Sequence, residues 1–112
     1  MIAKITRKAM LEHFQSETAA ILDLMGYKNG NYGADEDAFH NFRNTAQRIE
    51  GNSDPDSMYK MLMIYMDKHL CALAKNKMAD KEFIERHRDI IVYSLIAISM
   101  KLESEEGKLD AN

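Results

Sequence analysis

Apolar residues recur along this chain with helical periodicity. After Thr6, a residue type that caps helix N-termini, the side chains of Met10, Leu11, Phe14, Thr18, Ile21, Leu22 and Met25 fall on one stripe. Gly26 predicts the stop. The run Gly-Tyr-Lys-Asn-Gly-Asn-Tyr-Gly-Ala that follows carries three glycines, two asparagines and no apolar period, which reads as a loop. It is longer than the roughly 2 to 8 residues that connect helices in bundles, and a long loop with two tyrosines and a lysine suggests a functional role.

A second helix is expected from about Asp35 to Glu50, with Asp35, Glu36 and Asp37 in its first turn and Ala38, Phe39, Phe42, Ala46 and Ile49 along its apolar stripe. After Gly51, Asp54 is the expected N-cap of a third helix and Pro55 its first residue. That helix, reaching about Lys75, puts Met58, Met61, Leu62, Tyr65 and Leu73 on one face, while Met63, Ile64, Met66 and Leu70 cover most of the rest. A helix apolar nearly all round is central in its bundle or covered by an oligomer, and both are expected here. The fourth helix is expected from near Asp80 to about Glu103, with Phe83, Ile84, His87, Ile91, Ser94, Leu95, Ile98 and Leu102 in register. The polar tail beyond it is expected to fray.

The expected fold class is therefore all-α: one four-helix bundle-like domain over residues 1–112, with its core in about 7–102, a polar tail at 103–112, and oligomeric assembly. No segment sustains the period-two alternation of a strand, and no glycine–lysine phosphate loop is present. Composition adds two points. Nine methionines against four phenylalanines and no tryptophan leave much core volume to flexible thioethers, and five of them, Met58, Met61, Met63, Met66 and Met78, belong to the third helix or its exit. The net charge of -3 from 15 basic and 18 acidic residues, with the basic ones scattered, argues against duplex DNA as a partner. Neither a signal peptide nor a membrane span is expected, and the single cysteine, Cys71, matches a cytoplasmic protein.

Two carboxylates interrupt apolar helices and so stand out as candidates for chemistry: Asp67 and Asp89. Asp67 shares a stripe with Lys60, seven residues earlier, so the plain expectation is a boundary ion pair. Glu85 and Asp89 lie four apart on one face, with Glu82 and Tyr93 a turn to either side and opposite much of the Ile84, Ile91 and Leu95 stripe. A solvated charged face is one reading of that arrangement. Divalent-metal binding is the other, because carboxylates at i, i+4 can jointly hold Mg²⁺. The histidines His13, His40, His69 and His87 show no metal-ligand spacing and are expected at the surface or its boundary. Cys71 is expected to be a small buried thiol.

The order Tyr32-Gly33, Asn41-Phe42, Asp67-Lys68 after a methionine-rich helix, then Asp89 with Tyr93 in an apolar last helix, resembles the small phage-borne nucleotide-modification-associated proteins. These are relatives of the all-α nucleoside triphosphate pyrophosphatases of the MazG and dimeric dUTPase type. The resemblance covers about residues 27–100. It implies a helical bundle that assembles as a homodimer or homotetramer and uses Mg²⁺ to cleave a nucleoside triphosphate to the monophosphate and pyrophosphate. Glu85 and Asp89 would match the metal-binding pair, Asp67 and Lys68 the catalytic acidic–basic pair, and Tyr32, Gly33, Asn41, Phe42 and Tyr93 the nucleotide-facing residues. The sequence departs from that family where its Glu-x-x-Glu cluster would stand, offering Asp37 and Asn41 there, and in lacking an arginine before Asp67-Lys68. A bundle that keeps the helices but not the ligands would be a non-enzymatic phage or prophage protein that binds a nucleotide or a host protein, and a bare dimerisation module is a third reading.

Overall fold

A computed structural model describes residues 3–32 and 36–110; the side chains of 26–32 and 106–110 lie outside that description. The chain is all-α, with four α-helices and no strand among the described residues: α1 (Arg7–Tyr32), α2 (His40–Glu50), α3 (Pro55–Asn76) and α4 (Phe83–Asp110), with one 3-10 turn, Lys77–Ala79, between the last two. None of the described helices is long and apolar enough to cross a membrane.

The helix starts follow local chemistry. Thr6 Oγ1 accepts from the Ala9 amide at 3.1 Å, so Thr6 caps α1 as its residue type predicts. At α3, Asp54 Oδ1 accepts from the Ser57 amide at 2.9 Å and Pro55 occupies the first turn. Gly51 ends α2 at φ 80°, a left-handed conformation that glycine adopts at little cost.

Three helices differ from expectation in their boundaries. α1 runs on through Gly26 to Tyr32, one glycine being an affordable defect in a long helix. α2 begins at His40, because Asp37 turns back on the chain first: its carboxylate accepts from the Phe39 amide at 3.0 Å and from Arg43 Nε at 2.8 Å. α4 begins at Phe83 and continues past Glu103 to Asp110.

α3 is the central element, packing on α2 along one side and α4 along the other. The core is Phe39, Phe42, Ala46, Met58, Met61, Leu62, Tyr93 and Met100, with Met66, Ile96 and Ala97 at its margin. Phe42 meets Tyr65 edge to face at 5.8 Å. The charged ties follow the packing. Arg43 bridges Asp37 to both carboxylate oxygens of Glu103, binding α2 to the far half of α4, and Lys60 pairs with Glu50 at 2.8 Å. α1 lies beside this three-helix unit, held by Ile21, which is buried, and by a two-pronged Arg88–Glu17 pair at 2.6 and 2.8 Å.

The radius of gyration is 17.0 Å in a molecule 58 × 30 × 23 Å, against about 13 Å for a compact domain of this length. Much apolar surface stays bare as a result, notably Leu11, Phe14 and Leu22 on α1.

Candidate functional site

The most organised polar cluster sits where α3 leaves the core and α4 enters it. Asp80 has a side chain only 3% exposed, and its carboxylate accepts from Asn76 Nδ2 at 2.9 Å, the Glu82 amide at 2.8 Å and Arg86 Nε at 3.1 Å. The Asn76 amide first, then the Glu82 N–H and the Arg86 guanidinium, outweigh burial and hold this carboxyl below the usual range. Arg86 also reaches Glu82 at 3.1 Å and His69 Nδ1 at 3.3 Å. A guanidinium can only donate, so Nδ1 of His69 accepts; the ring proton then sits on Nε2, which lies 3.3 Å from Asp89 Oδ2. His69 is buried, and Tyr93 packs near it with ring centroids 6.2 Å apart.

This cluster draws in only part of the expected site. Asp89 is half-buried and turned toward His69. Tyr93 is buried in the core instead of sharing a solvated face with Glu85, which is exposed. Asp67 is exposed: two residues before His69, it lies some 200° around α3 and points away from α4. Its partner is Cys71, whose Sγ donates at 3.5 Å, whereas the expected partner, Lys60, is taken by Glu50. Cys71 is therefore exposed and not a buried thiol, and Asp67, by accepting its hydrogen bond and by repelling a thiolate, pushes its pKa up. Lys68 is exposed.

Phe42 is a core residue, 1% exposed, and Asn41 beside it is half-buried. The Tyr32 side chain and Gly33 lie outside the described residues. Among the described residues no group of three or more His, Cys, Asp or Glu side chains stands where it could hold a metal ion. Asp89 turns its carboxylate to the His69 imidazole and Asp67 pairs with Cys71, while Glu85 and Asp89 stand one turn apart on α4.

Nothing in the one-dimensional pattern singles out Arg86, and His69 is expected there at the surface or its boundary. The local signals are Glu82 and Arg86 at i, i+4 and the helix-starting Asp80; the 17-residue step from His69 to Arg86 crosses a turn and leaves no periodic trace. A half-open cleft of about 540 Å³ between the start of α3 and the later turns of α4 is lined by Asp54, Asp56, Tyr59, Met100, Lys101 and Ser104, and holds none of the expected site residues.

The largest departure is on α4. The face expected to be core is bare: Ile84, Ile91, Leu95, Ile98 and Leu102 are between 39% and 61% exposed. The opposite face, with Tyr93, Met100 and Asp89, is the one that packs on α3. α4 is thus apolar on both sides and covered on one. No family model, curated protein or solved structure matches this chain.

Proposed function

We propose that this protein is a non-catalytic helical interaction module, which binds a protein partner through the bare apolar face of α4 and the adjoining face of α1. The observation that carries the reading is the exposed line Ile84, Ile91, Leu95, Ile98 and Leu102 on the side of α4 away from its core. A long helix apolar on two opposite faces is stable in water only when both are covered. The polar cluster of His69, Asp80, Arg86 and Asp89 supports this reading, because its groups are spent on one another and fasten the turn between α3 and α4. They form a fixed joint under the interaction surface.

The second reading is a Mg²⁺-dependent nucleoside triphosphate pyrophosphohydrolase. It rests on Glu85 and Asp89 standing one turn apart on α4, as the metal-binding pair of the resembled family would. One comparison separates the two. Pyrophosphate release is measured with Mg²⁺ and a panel of ribo- and deoxyribonucleoside triphosphates, for the intact protein and for Asp89→Asn. The interaction module releases none, either as the intact protein or as Asp89→Asn. Release that Asp89→Asn abolishes overturns the module in favour of the hydrolase.

A further inference from the structure

We infer that the partner of the bare α4 face is a second copy of this chain, packed antiparallel against it about a two-fold axis level with residue 93. The inference deepens the interaction-module reading and rests on it.

A folded monomer of 12.9 kDa exposes about 6,300 Å² by the usual scaling with mass, and this chain exposes 8598 Å². The excess is on the order of 2,300 Å², within the roughly 1,000–2,500 Å² that each subunit of an obligate homodimer contributes.

Ile84, Arg88, Ile91, Leu95, Ile98 and Leu102 follow one another at steps of four, three, four, three and four. That is the seam spacing of paired helices, and at 100° per residue all six stay within an arc of about 80°. The seam is about 27 Å long at 1.5 Å per residue. The spacing also reads the same in both directions. An antiparallel two-fold level with residue 93 sets Ile84 against Leu102 of the second copy, Ile91 against its Leu95, and Arg88 against its Ile98, so each arginine meets an isoleucine and no like charges face each other. A parallel pair would face Arg88 with Arg88, a like-charge contact inside an apolar seam.

Arg88 fits the antiparallel arrangement as it stands. Its guanidinium is already occupied by both oxygens of Glu17, which leaves the aliphatic stem to line the seam. The same pair holds α1 beside α4 at the edge of the seam.

The test uses the full chain in sedimentation equilibrium. The expected mass is twice the 12.9 kDa of one chain. Leu95→Glu and Ile91→Lys, each placing a charge on the seam, weaken the dimer by at least about 100-fold in Kd, with helicity retained by circular dichroism because neither side chain is in the core. The double variant Ile91→Lys with Leu95→Glu restores the dimer, since an antiparallel seam then faces opposite charges where a parallel one faces like charges. Failure of the double variant to recover overturns the antiparallel two-fold. A wild-type monomer overturns the second copy as partner. The interaction-module reading survives that result if the monomer binds a hydrophobic-surface dye that Leu95→Glu displaces, and falls with it if dye binding is absent.

Discussion

Leu62 lies on α3 between α2 and α4 and is 0% exposed, in the same cluster as Phe42, Met58 and Met61. Leu62→Ala deletes the part of that side chain that fills the core. Transfer of the lost carbons accounts for about 2 kcal/mol, and a residual cavity of roughly 40–80 Å³ at about 24 cal/mol per Å³ adds about 1–2 more. The expected loss is therefore about 3–4 kcal/mol. With an unfolding entropy of about 2.1 cal/mol/K per residue, the midpoint falls by roughly 12–17 °C. Leu95→Ala makes the informative contrast, because Leu95 is 39% exposed within one chain. Its intrachain loss is below about 1 kcal/mol, and any larger loss grows or shrinks with protein concentration, as burial between copies requires. Both are read by thermal and urea unfolding followed by circular dichroism at several concentrations. A loss at Leu62 below about 1 kcal/mol, or a loss at Leu95 equal to it at every concentration, refutes the division into a core face and a bare face.

Backbone conformation supplies a matched pair. Gly51→Ala places a side chain at φ 80° with nothing nearby to compensate and costs about 1 kcal/mol, whereas Lys77→Gly relieves a residue held at φ 50° and stabilises by about 0.5–1 kcal/mol in urea unfolding. The hydrogen bonds from Arg88, and its charge, hold Glu17 below its ordinary value of 4.5. Because the folded-state pKa is the lower one, the tie between α1 and α4 is fully present above 4.5 and is lost as pH falls through the depressed value. Arg88→Gln moves the Glu17 titration, followed by carboxyl NMR, back up toward 4.5, and an unmoved titration refutes the pairing. Asp67→Asn removes the charge that holds Cys71 protonated, so alkylation of that thiol at pH 8 is faster in the variant; an unchanged rate shows that the Cys71–Asp67 contact is not made in solution.

Local chemistry made the all-helical class and two helix starts legible in one dimension. Thr6, and Asp54 with Pro55, act through partners three residues away, and such signals survive any tertiary context. The ends of α1 and α4 were less legible. Neither Gly26 nor the polar run after Glu103 interrupts a helix, since one glycine costs only about 1 kcal/mol and polar residues are tolerated in a solvated helix. The expected metal and nucleotide residues share faces only within single helices. Whether Asp67 and Asp89 meet depends on how α3 rotates against α4, and that rotation, visible in the His69–Asp89 contact, sends Asp67 to the far side.

The sequence by itself determined that the chain is helical, that α3 would be central, and that its last helix carries an apolar line from Ile84 to Leu102. Which side of α4 enters the core was decided only by the tertiary structure. Periodicity marks every apolar stripe alike, and α4 has two: Tyr93, Ile96 and Met100 fit the surface offered by α3, with Asp89 and Arg86 satisfied by His69 and Asp80. The more conspicuous stripe is left facing outward because one chain has too few helices to cover both.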